Sequence, residues 1–289
     1  EELMKKLLLQ FDSDKHPSSF DRVVPYDASV DDVLSYGNVA VEDIEGLVQG
    51  GFFTRKISDL KNTAIWIGGS NVPTGEALLK AVRNSFFGPF ELSVMLDSNG
   101  CNTTAATAVA KIVKEVDVKG QKVVVAAGTG PVGLRAAGLL ASEGANVTIS
   151  SRRKEGADKA AAYVNERFGV DTVTGTVLSD AETAREALDG AVAVFTTGAA
   201  GIQLVSEEIW SSIPSLKLIA DINAVPPLGI GGIDMNDNRE ERNGRISFGA
   251  IGIGGPKMKV HRTCIARLFE ANNVVMDAEE VYAVAKELV

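Results

Sequence analysis

The chain has 289 residues, of which 45% are hydrophobic, and a formal charge of −9 at pH 7. This length and composition predict a folded protein of one large or two medium domains and exclude disordered and collagen-like chains. The acidic balance argues against nucleic acid as a partner, because neutralising phosphates requires a basic face. No apolar run reaches the roughly 20 residues that span a bilayer, and the opening run is too short for a signal peptide. Two distant cysteines, Cys101 and Cys264, favour a reducing compartment, so we expect a cytoplasmic protein without a membrane partner.

Short β-branched runs alternate with helical periodicity along the chain, which is the pattern of parallel sheets built from βαβ units. The first part predicts strands at residues 6–11, 63–68 and 91–96, and helices at residues 73–84 and 103–116. After the polar stretch 115–121, a second series of strands is predicted at residues 122–127, 146–150, 172–177, 191–196 and 216–221.

We therefore predict an α/β protein of two domains. The substrate domain covers residues 1–118, and a Rossmann-type parallel sheet covers residues 119–276. A last helix at residues 277–288 lies outside the second series, and we expect residues 277–289 to pack back on the first domain.

A glycine-rich motif joins the first strand of the second series to an apolar helix. It reads Gly128-Thr129-Gly130-Pro131-Val132-Gly133. Between a strand and a helix, such a motif aims helix amides and the positive end of the helix dipole at a pyrophosphate. The alternative is a tight glycine turn without a ligand.

The end of the next predicted strand favours NADP over NAD. It reads Ser151, Arg152, Arg153, with no acid to repel a 2′-phosphate and two guanidinium groups to bind it. The alternative is an exposed basic loop.

Two further loops follow predicted strands and are expected to line the same crevice. One carries Thr197, Gly198 and Ala199, which would let backbone pass close to the ribose or nicotinamide. The other runs from Asp221 and Asn223 through two prolines to Asp234, and could form an apolar surface beneath a flat ring. A packed connection between strands is the alternative for the second loop.

Candidate chemistry lies in two more segments. Residues 252–255 predict a glycine loop entering a helix, with Lys257 in its first turn and His261 one turn later on the same face. Cations oppose the dipole there, which favours a function over an exposed lysine and a core histidine. In the second segment, residues 97–104, Asn102 or Thr103 either caps a helix or contacts a polar ligand.

Three other patterns are set aside. Tyr282 and Lys286 match the YxxxK motif of short-chain dehydrogenases, but no serine occurs after Ser247 and only three residues follow Lys286, so we interpret them as helix surface. The histidines and cysteines lack ligand spacing for a metal, and two glycosylation sequons are attributed to chance.

Taken in order, these motifs resemble one family over essentially the whole chain. Residues 96–100 and 102–104, the 128–133 turn, residues 226–234, and Lys257 with His261 resemble the NADP-dependent methylene-tetrahydromethanopterin dehydrogenases of bacterial one-carbon metabolism. The resemblance implies hydride transfer from the methylene bridge of a reduced pterin to NADP, giving the methenyl form, and some members accept methylene-tetrahydrofolate. It also implies a pterin cleft between the domains, a homotrimer, and substrate-site positions at Phe20, Thr103, Lys257 and His261.

In this chemistry the hydride leaves a carbon flanked by two nitrogens, so no proton is abstracted. We therefore expect catalysis to depend mainly on how the protein positions the pterin against NADP. Two alternatives stay open. A shikimate-dehydrogenase-like enzyme acting on a small hydroxy acid would need an acid–base pair, for which only Lys61 or Lys80 offers itself. An NADPH sensor would hold cofactor without a substrate.

Overall fold

The computed structural model describes residues 4–289. Its strands are, in chain order, β1 (Leu7–Asp12), β2 (Asp32–Tyr36), β3 (Thr63–Gly68), β4 (Ser93–Leu96), β5 (Lys122–Ala126), β6 (Asn146–Ser151), β7 (Val173–Val177), β8 (Ala191–Thr196), β9 (Leu218–Asp221), β10 (Asn238–Arg242), β11 (Arg245–Phe248) and β12 (Val275–Met276). Its α-helices are α1 (Ser19–Asp27), α2 (Ile44–Phe53), α3 (Val72–Asn84), α4 (Cys101–Glu115), α5 (Pro131–Ser142), α6 (Lys154–Phe168), α7 (Ala181–Leu188), α8 (Glu207–Ser211), α9 (Ala250–Arg267) and α10 (Ala278–Leu288).

The described residues form two units, each built around its own sheet. The first unit comprises the chain up to Thr103 together with Met258–Val284, and the second comprises Thr104–Lys257 and Ala285–Val289. The division therefore falls inside the helices α4, α9 and α10 rather than near residue 118. Hydrogen bonds explain this position, because the start of α4 is tied to the end of β4, and β12 pairs with β4.

The first unit holds a five-stranded sheet in the order β12-β4-β3-β1-β2, with parallel pairing throughout. Every residue of β3 is buried, as expected for a strand covered on both faces. One face packs Leu9, Phe11, Ile65 and Ile67 against buried residues of α2 and α3. This core fixes the strand ends at which the candidate residues of this unit lie.

The second unit holds a seven-stranded sheet in the order β10-β11-β9-β8-β5-β6-β7, which is parallel except for the β10–β11 hairpin. From β5 the chain moves to one side through β6 and β7, and then returns to the other side through β8 and β9. The direction of winding thus reverses beside β5. In doubly wound sheets this reversal opens a crevice at the carboxyl ends of the strands.

The predicted strands are all present, with ends shifted by two residues or fewer. The strands β2, β10, β11 and β12 were not predicted. β10 shows why, since its sequence Asn-Arg-Glu-Glu-Arg has no buried residue and carries no apolar alternation. Within residues 4–289, no helix is long and apolar enough to cross a bilayer.

The predicted glycine loop at residues 252–255 is wrong. These glycines lie inside α9, which begins at Ala250. A Cβ on Gly252 would lie 2.0 Å from the carbonyl oxygen of Asp237, so glycine here allows the helix to approach that backbone closely. The glycine signal reflects packing at this position and not a loop.

Candidate functional site

The glycine-rich turn of the second unit is built for close backbone approach. β5 ends at Ala126, Ala127 adopts a positive φ of 51°, and α5 begins at Pro131. A Cβ on Gly128 would lie 2.8 Å from the carbonyl oxygen of Val125, and one on Gly133 would lie 2.5 Å from the Cα of Gly128. Only glycine therefore fits at positions 128 and 133, and the lack of side chains there lets the start of α5 pack closely against the end of β5.

The middle glycine of the turn, Gly130, faces open space. A Cβ on Gly130 would meet no atom within 4 Å, and this residue caps α5 without a side-chain hydrogen bond among the described residues. The first-turn amides of an α-helix have no partner within the helix. The amides of Val132 and Gly133 at this positive helix end therefore suit an anionic group such as a pyrophosphate.

The ends of β6 and β8 flank this turn. The amide of Ala127 donates to Oγ of Ser150 at 3.0 Å, and that of Gly128 donates to the Ser150 carbonyl at 3.1 Å. Beyond this point, Ser151 is half-buried, and Arg152 and Arg153 are exposed. Within residues 4–289, neither guanidinium group has a hydrogen-bond or ion-pair partner. Two free cations thus lie just after the strand next to the glycine-rich turn.

The loop after β8 also reaches the turn. The amide of Thr197 donates to the Ala126 carbonyl at 3.0 Å, and its hydroxyl lies 3.3 Å from the carbonyl oxygens of both Ala126 and Ala127. A Cβ on Gly198 would lie 3.2 Å from that of Ala127. Ala199 follows and is exposed. The structure therefore brings three of the predicted loops together at the carboxyl end of β5.

Asp221 organises the loop after β9. Its buried carboxylate accepts hydrogen bonds from the Thr196 hydroxyl at 2.7 Å and from the amides of Asn223 at 2.9 Å, Gly229 at 2.7 Å and Ile230 at 3.3 Å. Burial raises the pKa of this carboxyl group, and these hydrogen bonds oppose the rise.

Asn223 continues this internal network. Its side chain accepts a hydrogen bond from the amide of Val225 at 2.9 Å and donates to the Pro227 carbonyl at 3.2 Å. Both Asp221 and Asn223 therefore hold the loop in shape, and their contact with a cofactor stays a prediction.

An open pocket of about 370 Å³ lies beside this loop. It is mostly apolar, with one lysine. The pocket is lined by Thr104, Ile222, Ala224, Ala250, Ile251, Ile253, Gly254, Gly255 and Lys257. The proline-containing loop thus contributes one wall through Ile222 and Ala224, and α9 contributes another.

The predicted position of Lys257 in a first helical turn is wrong. Because α9 begins at Ala250, Lys257 lies almost two turns inside the helix, so no conflict with the helix dipole arises. Lys257 and His261 do share this helix at a spacing of four residues.

In the first unit, Thr103 is fully buried beside an aspartate. The carboxylate of Asp97, which follows β4, accepts from the Thr103 amide at 2.9 Å and from its hydroxyl at 2.6 Å. Asn102 donates to the Leu96 carbonyl at 2.7 Å and to the Asp277 carboxylate at 2.9 Å. These bonds anchor the start of α4, but the predicted capping by Asn102 or Thr103 is wrong: both residues lie inside the helix and donate in these bonds, and the side chain that accepts from a helix amide is that of Asp97.

Three rings lie together in the same unit. The imidazole of His261 stacks on the indole of Trp66, with ring centroids 4.8 Å apart and planes 7° apart. Phe20, at the start of α1, lies 5.9 Å from the His261 ring and is 48% exposed. The structure therefore brings two of the predicted substrate residues together, and Phe20 has an exposed face on which a flat ring could stack.

Trp66 carries no functional signal in the sequence, where residues 63–68 predict only a core strand. Its Nε1 is buried and has no hydrogen-bond partner among the described residues. Gly68, two residues on, packs closely against this group, because a Cβ on it would lie 3.2 Å from this Nε1 and 3.1 Å from a carboxylate oxygen of Asp21. A buried tryptophan donor without an acceptor marks a place where a ligand acceptor would be favourable.

Of the YxxxK pair, Lys286 lies on the helix surface as predicted, whereas the surface interpretation of Tyr282 is wrong, because this residue is only 5% exposed. Lys286 pairs with Glu143 at 2.8 Å on the surface of the second unit. Cys101 and Cys264 are buried, and neither forms a disulfide within residues 4–289. In the described part of the chain, no three His, Cys, Asp or Glu side chains are placed to hold a metal ion.

Comparison with known proteins finds relatives over nearly the whole chain. The family model for the N-terminal part of methylene-tetrahydromethanopterin dehydrogenase matches residues 19–99. Bifunctional protein MdtA of Methylorubrum extorquens is 50% identical over 288 residues, which cover 99% of this chain and 100% of that protein. The NAD(P)-dependent methylenetetrahydromethanopterin dehydrogenase of the same organism is 32% identical over 286 residues, which cover 95% of each chain.

Two solved structures share the fold. Quinate dehydrogenase from Corynebacterium glutamicum in complex with NAD aligns with a TM-score of 0.54 at 14% identity, covering 98% of this chain and 99% of that one. Shikimate 5-dehydrogenase from Listeria monocytogenes in complex with shikimate and NAD aligns with a TM-score of 0.52 at 11% identity, covering 98% of each. This likeness confirms the predicted fold class, an α/β protein with a Rossmann-type sheet. The two full-length relatives decide the family: the chain belongs to the methylene-tetrahydromethanopterin dehydrogenases.

Proposed function

We propose that this protein catalyses the reversible, NADP-dependent oxidation of methylene-tetrahydromethanopterin to the methenyl form, by direct hydride transfer in one-carbon metabolism. The observation that carries the proposal is family membership over nearly the full chain. Methylene-tetrahydrofolate is the second substrate to test, since the sequence resemblance implies that some members of the family accept it.

The glycine-rich turn supports NADP as the cofactor. Open space at Gly130 and the free first-turn amides of α5 fit a pyrophosphate. The unpaired guanidinium groups of Arg152 and Arg153 fit a 2′-phosphate, and no acid at the end of β6 would repel it. When bound, NADP supplies the nicotinamide ring that accepts the hydride.

The residues of this chain would act on the pterin by positioning it. The methylene carbon is flanked by two nitrogens that stabilise the cation left behind, so the chemistry needs no general base. We assign Phe20 to stack on the pterin, and His261 to orient it, because stacking on Trp66 fixes the imidazole plane. Thr103, held by Asp97, and Lys257, which lines the apolar pocket, complete the proposed set.

The acid–base pair required by the hydroxy-acid alternative has little support. Lys61 and Lys80 are both exposed, and among residues 4–289 neither pairs with a carboxylate. The shikimate and quinate dehydrogenase structures share the fold at 11% and 14% identity and say nothing of the substrate.

We extend the proposal to the assembly and location of the protein. The family resemblance supports a homotrimer, and two buried cysteines that are not joined in a disulfide are typical of a reducing cytoplasm. Light scattering coupled to size exclusion should give about three times the 30.4 kDa of one chain. A mass of one chain at micromolar concentration would refute the trimer.

The activity is tested with the purified protein, NADP or NAD, and methylene-tetrahydromethanopterin or methylene-tetrahydrofolate, by following NADPH (or NADH) and methenyl product by absorbance. We expect turnover with methylene-tetrahydromethanopterin and NADP, at a higher kcat/KM than with NAD. Tight NADP binding without turnover on either pterin would overturn the proposed function. A Lys257→Ala variant should lose kcat or raise the pterin KM. The control Lys217→Ala, which replaces an exposed lysine immediately before β9, should change neither.

A further inference from the structure

A second pocket of the second unit, of about 320 Å³, lies apart from the glycine-rich turn. It is lined by Lys111, Lys114, Glu115, Asn238, Arg239, Phe248, Pro256, Leu288 and Val289. Three cations and one acidic side chain line it, although the whole chain carries a charge of −9. The acid, Glu115, is already paired, because the Arg239 guanidinium donates to it at 2.9 Å.

Lys111 makes this pocket unusual. Its residue is 8% exposed, and lysine is almost never buried to this extent without a paired acid. Its Nζ donates to the side-chain oxygen of Asn238 at 2.8 Å and lies 4.7 Å from the centroid of the Phe248 ring. An ammonium group has three N–H donors, so the Asn238 amide satisfies only one of them.

No full negative charge compensates this ammonium group. In the part of the chain that the structure describes, no carboxylate oxygen lies within ion-pair distance of the Lys111 Nζ. Burial accordingly lowers the pKa of Lys111, and the nearby Lys114 lowers it further, while Glu115 acts in the opposite direction. Burying a charge without a paired countercharge is unfavourable, and an anion in the pocket would offset that cost.

We propose that this pocket binds a small oxyanion of charge −2 or more, carried by a phosphate monoester or a polycarboxylate. Lys111 contributes the desolvated cation at its base, and Lys114 and Arg239 contribute exposed cations at its rim. Phe248, Pro256 and Leu288 supply apolar surface for the carbon skeleton of the ligand. The volume suits a small metabolite. The site is independent of the glycine-rich turn and of the proposed dehydrogenase activity.

The test is titration calorimetry of the full chain with two probes, inorganic phosphate and citrate. The variants are Lys111→Met, which keeps the apolar stem, Lys114→Gln, and the matched control Lys217→Ala in the same unit. We expect at least one probe to bind with millimolar affinity or tighter. Lys111→Met should weaken binding about tenfold or more, because it removes a charge-assisted contact in a desolvated site. Lys114→Gln should weaken binding a few-fold, and the control should bind as the wild type does.

The two probes separate the sources of the ligand. Tighter binding of phosphate assigns the pocket to a phosphate monoester, and tighter binding of citrate assigns it to a polycarboxylate. A crystal soaked in tungstate should show an anomalous peak within hydrogen-bond distance of the Lys111 Nζ. The proposal is overturned if neither probe binds below about 10 mM. It is equally overturned if Lys114→Gln and a folded Lys111→Met bind both probes as the wild type does.

Discussion

Replacing Gly130 by alanine separates cofactor binding from folding at the glycine-rich turn. The added Cβ meets no atom within 4 Å, and the φ of −84° at this residue is one that alanine adopts freely. Alanine is a poorer N-cap than glycine, so we expect a loss of about 1 kcal/mol of stability at most. In a chain of this size that loss lowers Tm by about 2–4 °C.

The same methyl group would occupy the space that we assign to the pyrophosphate. Displacing the phosphate from one helix amide removes a hydrogen bond to a charged group, which is worth about 1.5–3 kcal/mol. The Kd for NADP should therefore rise about 10- to 150-fold. Calorimetric titration with NADP measures this change, and thermal unfolding of the same sample measures stability.

Gly133→Ala is the matched control on the same turn. Its Cβ would lie 2.5 Å from the Cα of Gly128, so the backbone of the turn must move. We expect this variant to lose about 1–3 kcal/mol of stability as well as NADP binding. If Gly130→Ala binds NADP as tightly as the wild type, the phosphate does not approach that point and the assignment of the turn is wrong.

Three other predictions concern the second unit. Replacing Arg152 and Arg153 together by serine should weaken NADP binding about 5- to 50-fold, because these residues are proposed to bind the 2′-phosphate. NAD lacks this phosphate, so its binding should change less than about twofold. Equal losses of NADP and NAD affinity in calorimetric titrations would contradict this prediction. Gly138→Ala places a Cβ 2.2 Å from the ring of Phe168, so Tm should fall by several degrees while the NADP Kd of the folded protein stays constant. Burial alone would raise the pKa of Asp237, but hydrogen bonds, chiefly from the Arg242 guanidinium, hold this pKa below its ordinary value. The ionised carboxylate therefore stabilises the fold at pH values above the unfolded pKa of about 3.9. This stabilisation is lost as pH falls through the folded pKa. Urea unfolding should therefore show Asp237→Asn to be less stable than the wild type at pH 7, with a gap that narrows below about pH 4, and a gap independent of pH would refute this reasoning.

Buried strands were the part of the fold that the sequence predicted best. Strands such as β3 and β8 are buried along their whole length, so they read as continuous apolar runs between turn signals. The glycine-rich turn was also predictable, because the close contacts at positions 128 and 133 allow only glycine there.

Edge strands and helix starts were harder to predict from the sequence. β2 and the β10–β11 hairpin lie at sheet edges, where one side of the strand meets solvent and the apolar pattern is weak. The glycines of α9 suggested a loop because local propensity disfavours glycine in helices, whereas close packing at Gly252 requires it.

Contacts between residues distant in sequence could not be predicted from patterns alone. The stacking of Trp66 on His261 joins residues almost 200 positions apart, and nothing local in either segment indicates the other. The same holds for the bond from Lys111 to Asn238, which creates the anion pocket proposed above. Such contacts depend on the sheet order, which periodicity does not specify.

The most direct test of the proposed function follows the hydride itself. The substrate is methylene-tetrahydromethanopterin carrying deuterium at the methylene carbon, and the NADPH formed in a single turnover is examined by mass spectrometry. Direct transfer predicts that the deuterium appears in NADPH and that the transfer step slows by a primary isotope effect. Deuterium released to water, or methenyl product formed without NADPH, would contradict the account.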